Sequence, residues 1–410
     1  MKIIKTLILF YLLPTLLFSA LLYDVPVELK QPDGSTLHCY ASGDEYYSRL
    51  HDQNDYTITQ SNEDGFYYYA LLENQTIVPS IYRADQNYNL AQLGFRKKVM
   101  IPQERYLEIR ERWWNGVETR DAPTTGTVNN LNVFIRFADE DEFGNARSYY
   151  DSYFNNENGP SMKHYFSEVS YDMLTVNTIH YPTSSMDSNL SYQDQYPRSY
   201  YQPYNAVTNP EGYTDSERTD REHTLLQNAI AFIESEVPDS LIIDSNNDGN
   251  VDNVTFLVYG VPGGWADLLW PHRWALYSVV SEIHGKRVWD YNFNMASGPY
   301  FSVGTLAHEF CHSLGAPDLY HYYNESAPVA VGGWDVMDAS TDIPQWMSSY
   351  IKYRYFNWIE LQDASGGGTF ELNPLGQPDN NAYRLDSSNP NEYFIIEYRT
   401  QEGMYDSNAP

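Results

Sequence analysis

The run HEFCHSLGAPD, residues 308–318, holds the residue types that bind and use a metal ion. His308 and His312 are four apart, so on a helix they stack on one face and offer two imidazole nitrogens to a single zinc ion. Glu309 stands one helical step of about 100° from His308, near enough to reach a water molecule on such an ion without being a ligand. Gly315 takes the left-handed conformation cheaply and ends the helix, and the turn beyond it can carry Asp318 back as third ligand. A fourth position then stays open for water. This set spells a metal-dependent hydrolase with Glu309 as general base.

A helix that presents ligands needs a second face to hold it. At roughly 100° per residue, Val303, Leu306, Phe310 and Leu314 fall within about 80° of one another, and the two histidines point about 175° from their centre. One side is therefore expected to pack into a core and the other to line a cleft. Cys311, about 80° from the histidine face, reads as a small buried hydrophobe. Downstream, GGWDVMDAS forms a turn in which Met337 either floors a metal site softly or simply packs. PQWMSSYIKYRYFNWI reads as a closing helix with Trp346, Tyr350 and Tyr353 along a stripe.

Strands and helices alternate from residue 128, which predicts an α/β layered domain over 125–362. NLNVFIRFADED is a strand, SMKHYFSEVSYDMLTVNTI a helix leading into another, HTLLQNAIAFIESE (223–236) an amphipathic helix and TFLVYG a buried strand. VWDYNFNMAS is either an internal strand or an edge with which an extended substrate could pair. His272, between Trp270 and Trp274, reads as a hydrogen-bonded structural histidine rather than a further ligand. DSNNDGNVDNV sets Asp244, Asn246, Asp248 and Asp252 at positions one, three, five and nine of a calcium loop, with Gly249 at six. Thr255 stands where an EF-hand has its glutamate, so the loop is either an incomplete calcium site or an Asx-rich turn without metal.

Residues 1–20 set Lys2 and Lys5 ahead of an apolar run from Leu7 to Phe18 that Pro14 interrupts, with small Ser19 and Ala20 behind it. This reads as a removable signal peptide, giving an exported protein without stable membrane insertion. Residues 24–122 form a separate small α+β unit: two hairpins around Asp33-Gly34 and Asp64-Gly65, then a helix over 103–114. GVETRDAPTTGTV is an exposed linker open to proteolysis; Arg120 within it and Lys97 and Lys98 ahead of it are either cleavage points or merely solvated basic residues. Over 366–410, TFELN, AYRLD and EYFIIEYR read as strands of a partial C-terminal β module, and the sequence reads as part of a longer protein. Two cysteines are too few for a disulfide scaffold. Cys39 reads as a free or buried thiol, the alternative being a thiolate that holds the open zinc position in an inactive precursor.

The formal charge of -30, from 25 basic and 55 acidic residues, argues against binding nucleic acid or an anionic membrane through a basic surface. A soluble monomer is expected. The 38 tyrosines have no mechanistic explanation at this level.

HExxHxxGxxD followed by a methionine-containing turn resembles the metzincin clan of zinc peptidases, in the version with aspartate as third ligand. The order QPDG, GDEYY, DGFYYYA, DSNNDGNVDNV, WPHRW, HEFCHSLGAPDLY and GGWDVMDAS is similar to the immune inhibitor A family of secreted metallopeptidases, from about residue 25 to the end. The resemblance implies a mixed twisted sheet with an active-site helix, an N-terminal propeptide, a latent precursor and internal cleavage of protein or peptide substrates. By position it implies that His308, His312 and Asp318 bind zinc, that Glu309 is the base and that Met337 is the Met-turn residue. The calcium loop also resembles a feature of that family. Some metzincins carry a tyrosine ligand two residues past the methionine; here that place is Ala339, which leaves Tyr320 and Tyr350 as candidate transition-state donors. Two other classes stay in view: a binding or adhesion protein that lost turnover on this fold, and a zinc amidase or deacetylase.

Overall fold

Turn chemistry at two Asp-Gly pairs builds the first sheet. The computed structural model describes residues 22–114, 122–263, 268–323 and 327–410; the expected signal peptide, Arg120 and much of the linker lie outside these. β1 (Leu22–Lys30), β2 (Thr36–Gly43), β3 (Ser48–His51), β4 (Thr57–Gln60), β5 (Tyr67–Glu73) and β6 (Thr76–Arg83) pair antiparallel in sequence order. The Asp33 carboxylate accepts the Ser35 N–H at 3.0 Å and Asp64 accepts the Phe66 N–H at 3.2 Å, the local bonds that favour a turn at each pair. Leu29, Leu37, Cys39, Leu50 and Ile58 point to one side and make a small core of their own. α1 (Gln103–Trp114) follows, and its Tyr106 belongs instead to the core of the main body.

That body consists of β7 (Gly126–Arg136), α2 (Arg147–Asn155), α3 (Met162–Val169), β8 (Leu174–Tyr181), β9 (Tyr192–Gln193), α4 (Arg218–Ile233), β10 (Val254–Val258), β11 (His272–Ala275), β12 (Glu282–Ile283), β13 (Lys286–Arg287), β14 (Asp290–Met295) and α5 (Val303–Ser313). Its sheet runs β11-β14-β10-β7-β8, with β9 beside β7; β11 is antiparallel to β14 and the other pairings are parallel. Parallel neighbours require crossovers: α2 and α3 supply the one from β7 to β8, while the chain passes from β10 to β14 through β11, β12 and β13. Leu131, Val133 and Ile135 of β7 join Leu226 and Ile230 of α4 in one core, whereas Phe134 joins Phe166 of α3 and Phe310 of α5 in the other. No helix among the described residues is long and apolar enough to cross a membrane.

Three local readings differ from what the sequence suggests, and one open alternative is decided. α4 begins at Arg218, ahead of the expected 223, because Glu222 and His223 are buried along with the apolar residues. β14 lies between β10 and β11, which makes VWDYNFNMAS the internal strand of its two alternatives. PQWMSSYIKYRYFNWI is not one helix: the Ser348 N–H goes to the Asp335 carboxylate, Ser348 caps a short α6 (Ser349–Ile351), and a π-turn at Lys352–Phe356 completes it. TFELN forms no strand, since both edges of β16 (Ala382–Asp386) are taken by β15 (Gln362–Asp363) and β17 (Tyr393–Glu397).

Candidate metal centre

Local capping fixes both ends of α5. Ser302 accepts the Thr305 N–H at 3.0 Å and so satisfies a donor that the first turn leaves without a helical partner. At the far end Gly315, with φ of +100°, sends its N–H to His312 O at 2.9 Å, and Ala316 sends its own to Cys311 O at 3.0 Å. This Schellman closure turns the chain back, so that Ala316 O meets His312 Nδ1 at 2.8 Å.

The second histidine contact comes from the methionine turn, where Val336 O lies 2.9 Å from His308 Nδ1. A carbonyl oxygen only accepts, so both Nδ1 atoms carry the proton and both Nε2 atoms present lone pairs when the rings are neutral. Those Nε2 atoms face each other at 3.1 Å, and Asp318 Oδ1 lies 3.0 Å from the first and 3.3 Å from the second. Three acceptors at such distances repel unless a cation or proton lies among them. Ligand atoms on a tetrahedral zinc with bonds of about 2.1 Å sit about 3.4 Å apart, so this donor set fits that ion. Among the described residues it is the group of metal-ligating side chains that converges.

Electrostatics agree with a cation-seeking site. Burial alone would hold both histidines down, but the Asp318 carboxylate outweighs it, raising His308 and carrying His312 up to about 9. Burial pushes Asp318 up, yet the two imidazoles hold it well below the usual carboxylate range. Glu309 is raised by burial, against the pull of the same imidazoles, and its Oε1 is a buried acceptor without a hydrogen bond.

Neighbouring elements hold this geometry. Asn292 of β14 donates to the backbone oxygen of Glu309 at 2.9 Å and to Ser313 Oγ at 3.1 Å, fastening α5 to the sheet. The Asp335 carboxylate accepts the Met337 and Ser348 N–H groups at 2.8 and 2.7 Å, and Met337 O accepts the Leu319 N–H at 2.8 Å. One turn thus supports both His308 and the residue after Asp318. Met337 itself is fully buried in the core with Phe310 and Leu314.

α5 does not have the open face expected of it. It is buried nearly all round, with His308 at 1% exposure, because the 318–323 segment and the N-terminal unit lie over its histidine side. Tyr320 OH donates to Glu45 Oε2 of that unit at 3.2 Å, while Tyr350 packs on Tyr355 at 5.9 Å between ring centres.

Several other candidates stand apart. Cys39 is sealed in the first sheet's core and burial pushes its thiol up to about 12, so it is no thiolate for the metal. Cys311 is buried beside Phe310. His272 bonds Glu222 Oε1 at 2.9 Å and Trp270 O at 2.7 Å in the opposite core, a structural arrangement. In the acidic loop, Asp244 accepts the Asp248 and Gly249 N–H groups and the Lys286 ammonium at 2.5 Å; Asn246 accepts the Asp248 N–H, and Asp252 accepts the Ser245 N–H. These side chains are turned to backbone and lysine rather than to a common point. Asn292, Asp335, Glu45 and Tyr322 were not singled out by motif; the acid pair in GDEYY was the one available signal.

No protein-family model matches the chain, and no curated protein does. Among solved structures it is similar to the crystal structure of metalloproteinase-II from Bacteroides fragilis, at 12% identity over 82% of this chain and 86% of that one, with a TM-score of 0.28. So slight an overlap leaves the reading of the site to its own geometry.

Proposed function

We propose that the chain is a zinc-dependent metalloendopeptidase of metzincin type, similar to immune inhibitor A peptidases, exported and made as a latent precursor with residues 24–122 as propeptide. The observation that carries the reading is the convergence of His308 Nε2, His312 Nε2 and Asp318 Oδ1 within 3.3 Å, both imidazoles oriented by backbone carbonyls. Zinc in that cradle supplies Lewis acidity, acidifying water and polarising a peptide carbonyl. His308, His312 and Asp318 hold it, and the carboxylate's charge lowers that acidity relative to a third histidine. More of the proton transfer then falls to Glu309, whose carboxylate takes the water's proton and passes it to the departing amine. Burial raises that carboxyl above its ordinary value. In the same reading the acidic loop at 244–252 takes a structural calcium ion only by releasing the Lys286 ammonium from Asp244 and turning its side chains to a common point.

Glu309→Ala tests the role directly. It is expected to retain zinc in equimolar amount and to lose casein hydrolysis by about 100-fold or more. A variant that keeps turnover removes Glu309 from the chemistry; a wild-type chain that binds zinc yet never cleaves, even after the linker is cut, points to a binding protein on this scaffold.

A further inference from the structure

The chain beyond α5 folds back so that a tyrosine meets the third candidate ligand. Tyr322, four residues past Asp318, donates its hydroxyl to Asp318 Oδ2, while Asp318 Oδ1 lies 3.0 and 3.3 Å from the two histidine Nε2 atoms. The two oxygens of one carboxylate therefore have different surroundings: Oδ2 takes a phenol O–H, and Oδ1 is buried with no donor of its own. A phenol ordinarily keeps its proton up to about pH 10, so Tyr322 is a donor across the neutral range. A hydrogen bond to an ionised carboxylate is also of the stronger kind.

Three neighbours hold the ring that carries this hydroxyl: Tyr46 packs edge-on at 5.6 Å, Tyr320 lies at 4.9 Å between ring centres, and the Arg110 guanidinium of α1 stands 4.2 Å from the ring centroid. An aromatic face attracts a cation at that distance. The backbone beside the ring is held against its own preference. Tyr323 has φ of +65°, a left-handed conformation that a bulky side chain rarely adopts, and its hydroxyl donates to Ile101 O at 2.8 Å. Backbone in so sparsely populated a region persists only where its surroundings impose it, and such positions cluster at functional sites. A segment with neither helix nor strand is thereby made to aim one hydroxyl at one carboxylate oxygen.

Resting on the metallopeptidase reading above, we propose that Tyr322 is a positioning residue for the metal: by occupying Oδ2 it leaves Asp318 a single oxygen to offer, and it points that oxygen, Oδ1, at the histidine pair. A carboxylate can ligate through one oxygen or through both. On a four-coordinate ion, two histidines and both oxygens of Asp318 would fill every position, whereas one oxygen leaves the fourth for water. Tyr322 thus keeps open the position that hydrolysis needs. It acts from behind the ligand, as groups bonded to ligating residues do, and touches neither substrate nor the reacting atoms. Tyr323, whose hydroxyl is engaged by Ile101 O, has no such part.

The test uses the full chain. Competition with a chelating dye reads zinc affinity, and visible absorption of the cobalt(II)-loaded chain reads coordination, since four-coordinate cobalt absorbs more strongly than five-coordinate cobalt. Tyr322→Phe keeps the ring and its packing and removes only the hydroxyl. It is expected to weaken zinc binding by roughly tenfold, and to lose visible absorption in the cobalt form as the freed Oδ2 joins the ion. Tyr323→Phe, which removes a hydroxyl from the same segment without touching Asp318, is expected to match wild type in both. Equal losses in the two variants, or none in Tyr322→Phe, overturn the proposal while the metal centre stands. X-ray absorption at the cobalt edge of wild type decides the matter even if a variant fails to fold: Asp318 bound through one oxygen is expected, and a carboxylate bound through both overturns the role of Tyr322. A wild-type chain that takes up no cobalt overturns the metal centre and this role together.

Discussion

His308 Nδ1 lies 2.9 Å from the carbonyl oxygen of Val336, a contact that ties the ligand helix to a turn 28 residues further along. The imidazole cannot rotate without breaking it, so the direction of the Nε2 lone pair is set by the turn as much as by the helix. The turn in turn depends on Asp335, whose buried carboxylate receives two backbone N–H groups.

Asp335→Ala is accordingly expected to weaken zinc binding by roughly 10–100-fold, the range seen when groups behind a ligand are removed. Competition with a chelating dye measures it. Unchanged affinity in a folded variant would show that α5 alone orients His308.

The bond from Asn292 to Glu309 O predicts a stability effect. Asn292→Ala leaves a buried carbonyl and the Ser313 hydroxyl without this partner, at a cost of about 1–3 kcal/mol. Urea unfolding of the zinc-loaded chain should show that loss with zinc content unaltered; a midpoint equal to wild type would mean that the strand does not anchor the helix.

Calcium binding in the acidic loop must displace the Lys286 ammonium from Asp244. Lys286→Gln is therefore expected to increase the rise in melting temperature that calcium produces, and Asp248→Asn to reduce it. Identical melting with and without calcium, in wild type and Lys286→Gln alike, identifies the loop as a turn closed by lysine alone.

His223 supplies a pH prediction away from the metal. Burial pushes its imidazole down to about 4, outweighing the pull of Glu222, while the unfolded chain holds it near about 6.5. The folded state favours the neutral ring, so its stabilising contribution is complete above about 6.5 and is lost as pH falls through about 4, by roughly 3 kcal/mol. Denaturation midpoints of wild type and His223→Gln, compared between pH 7 and pH 4, should show a shallower decline in the variant; parallel declines would assign the acid sensitivity elsewhere.

What the sequence made legible follows the range of the interactions concerned. The helix, its glycine stop and the Asp-Gly turns depend on contacts within a few residues, and spacing reports those. β14 was ambiguous because Asn292 and Asn294 alternate with aromatic residues as they would on a half-exposed strand, yet here the polar face meets α5 instead of water. The aromatic stripe at 346–353 suggested a long helix since periodicity does not register Asp335, which takes the Ser348 N–H from 13 residues away. TFELN alternates well but has no free neighbour to pair with. The turn carrying Glu45 lies more than 250 residues before the ligands in sequence, a separation at which only the folded chain brings them together; Tyr320 and Glu45 are 275 residues apart.

Two of the three candidate ligands ride on a helix bonded to the sheet, and the third rides on a segment that the N-terminal unit clamps through Tyr46 and Tyr322. If residues 24–122 are the propeptide proposed above, removing that unit would also slacken the arm that bears Asp318. An activated molecule would then trade some of its grip on the metal for its catalytic freedom.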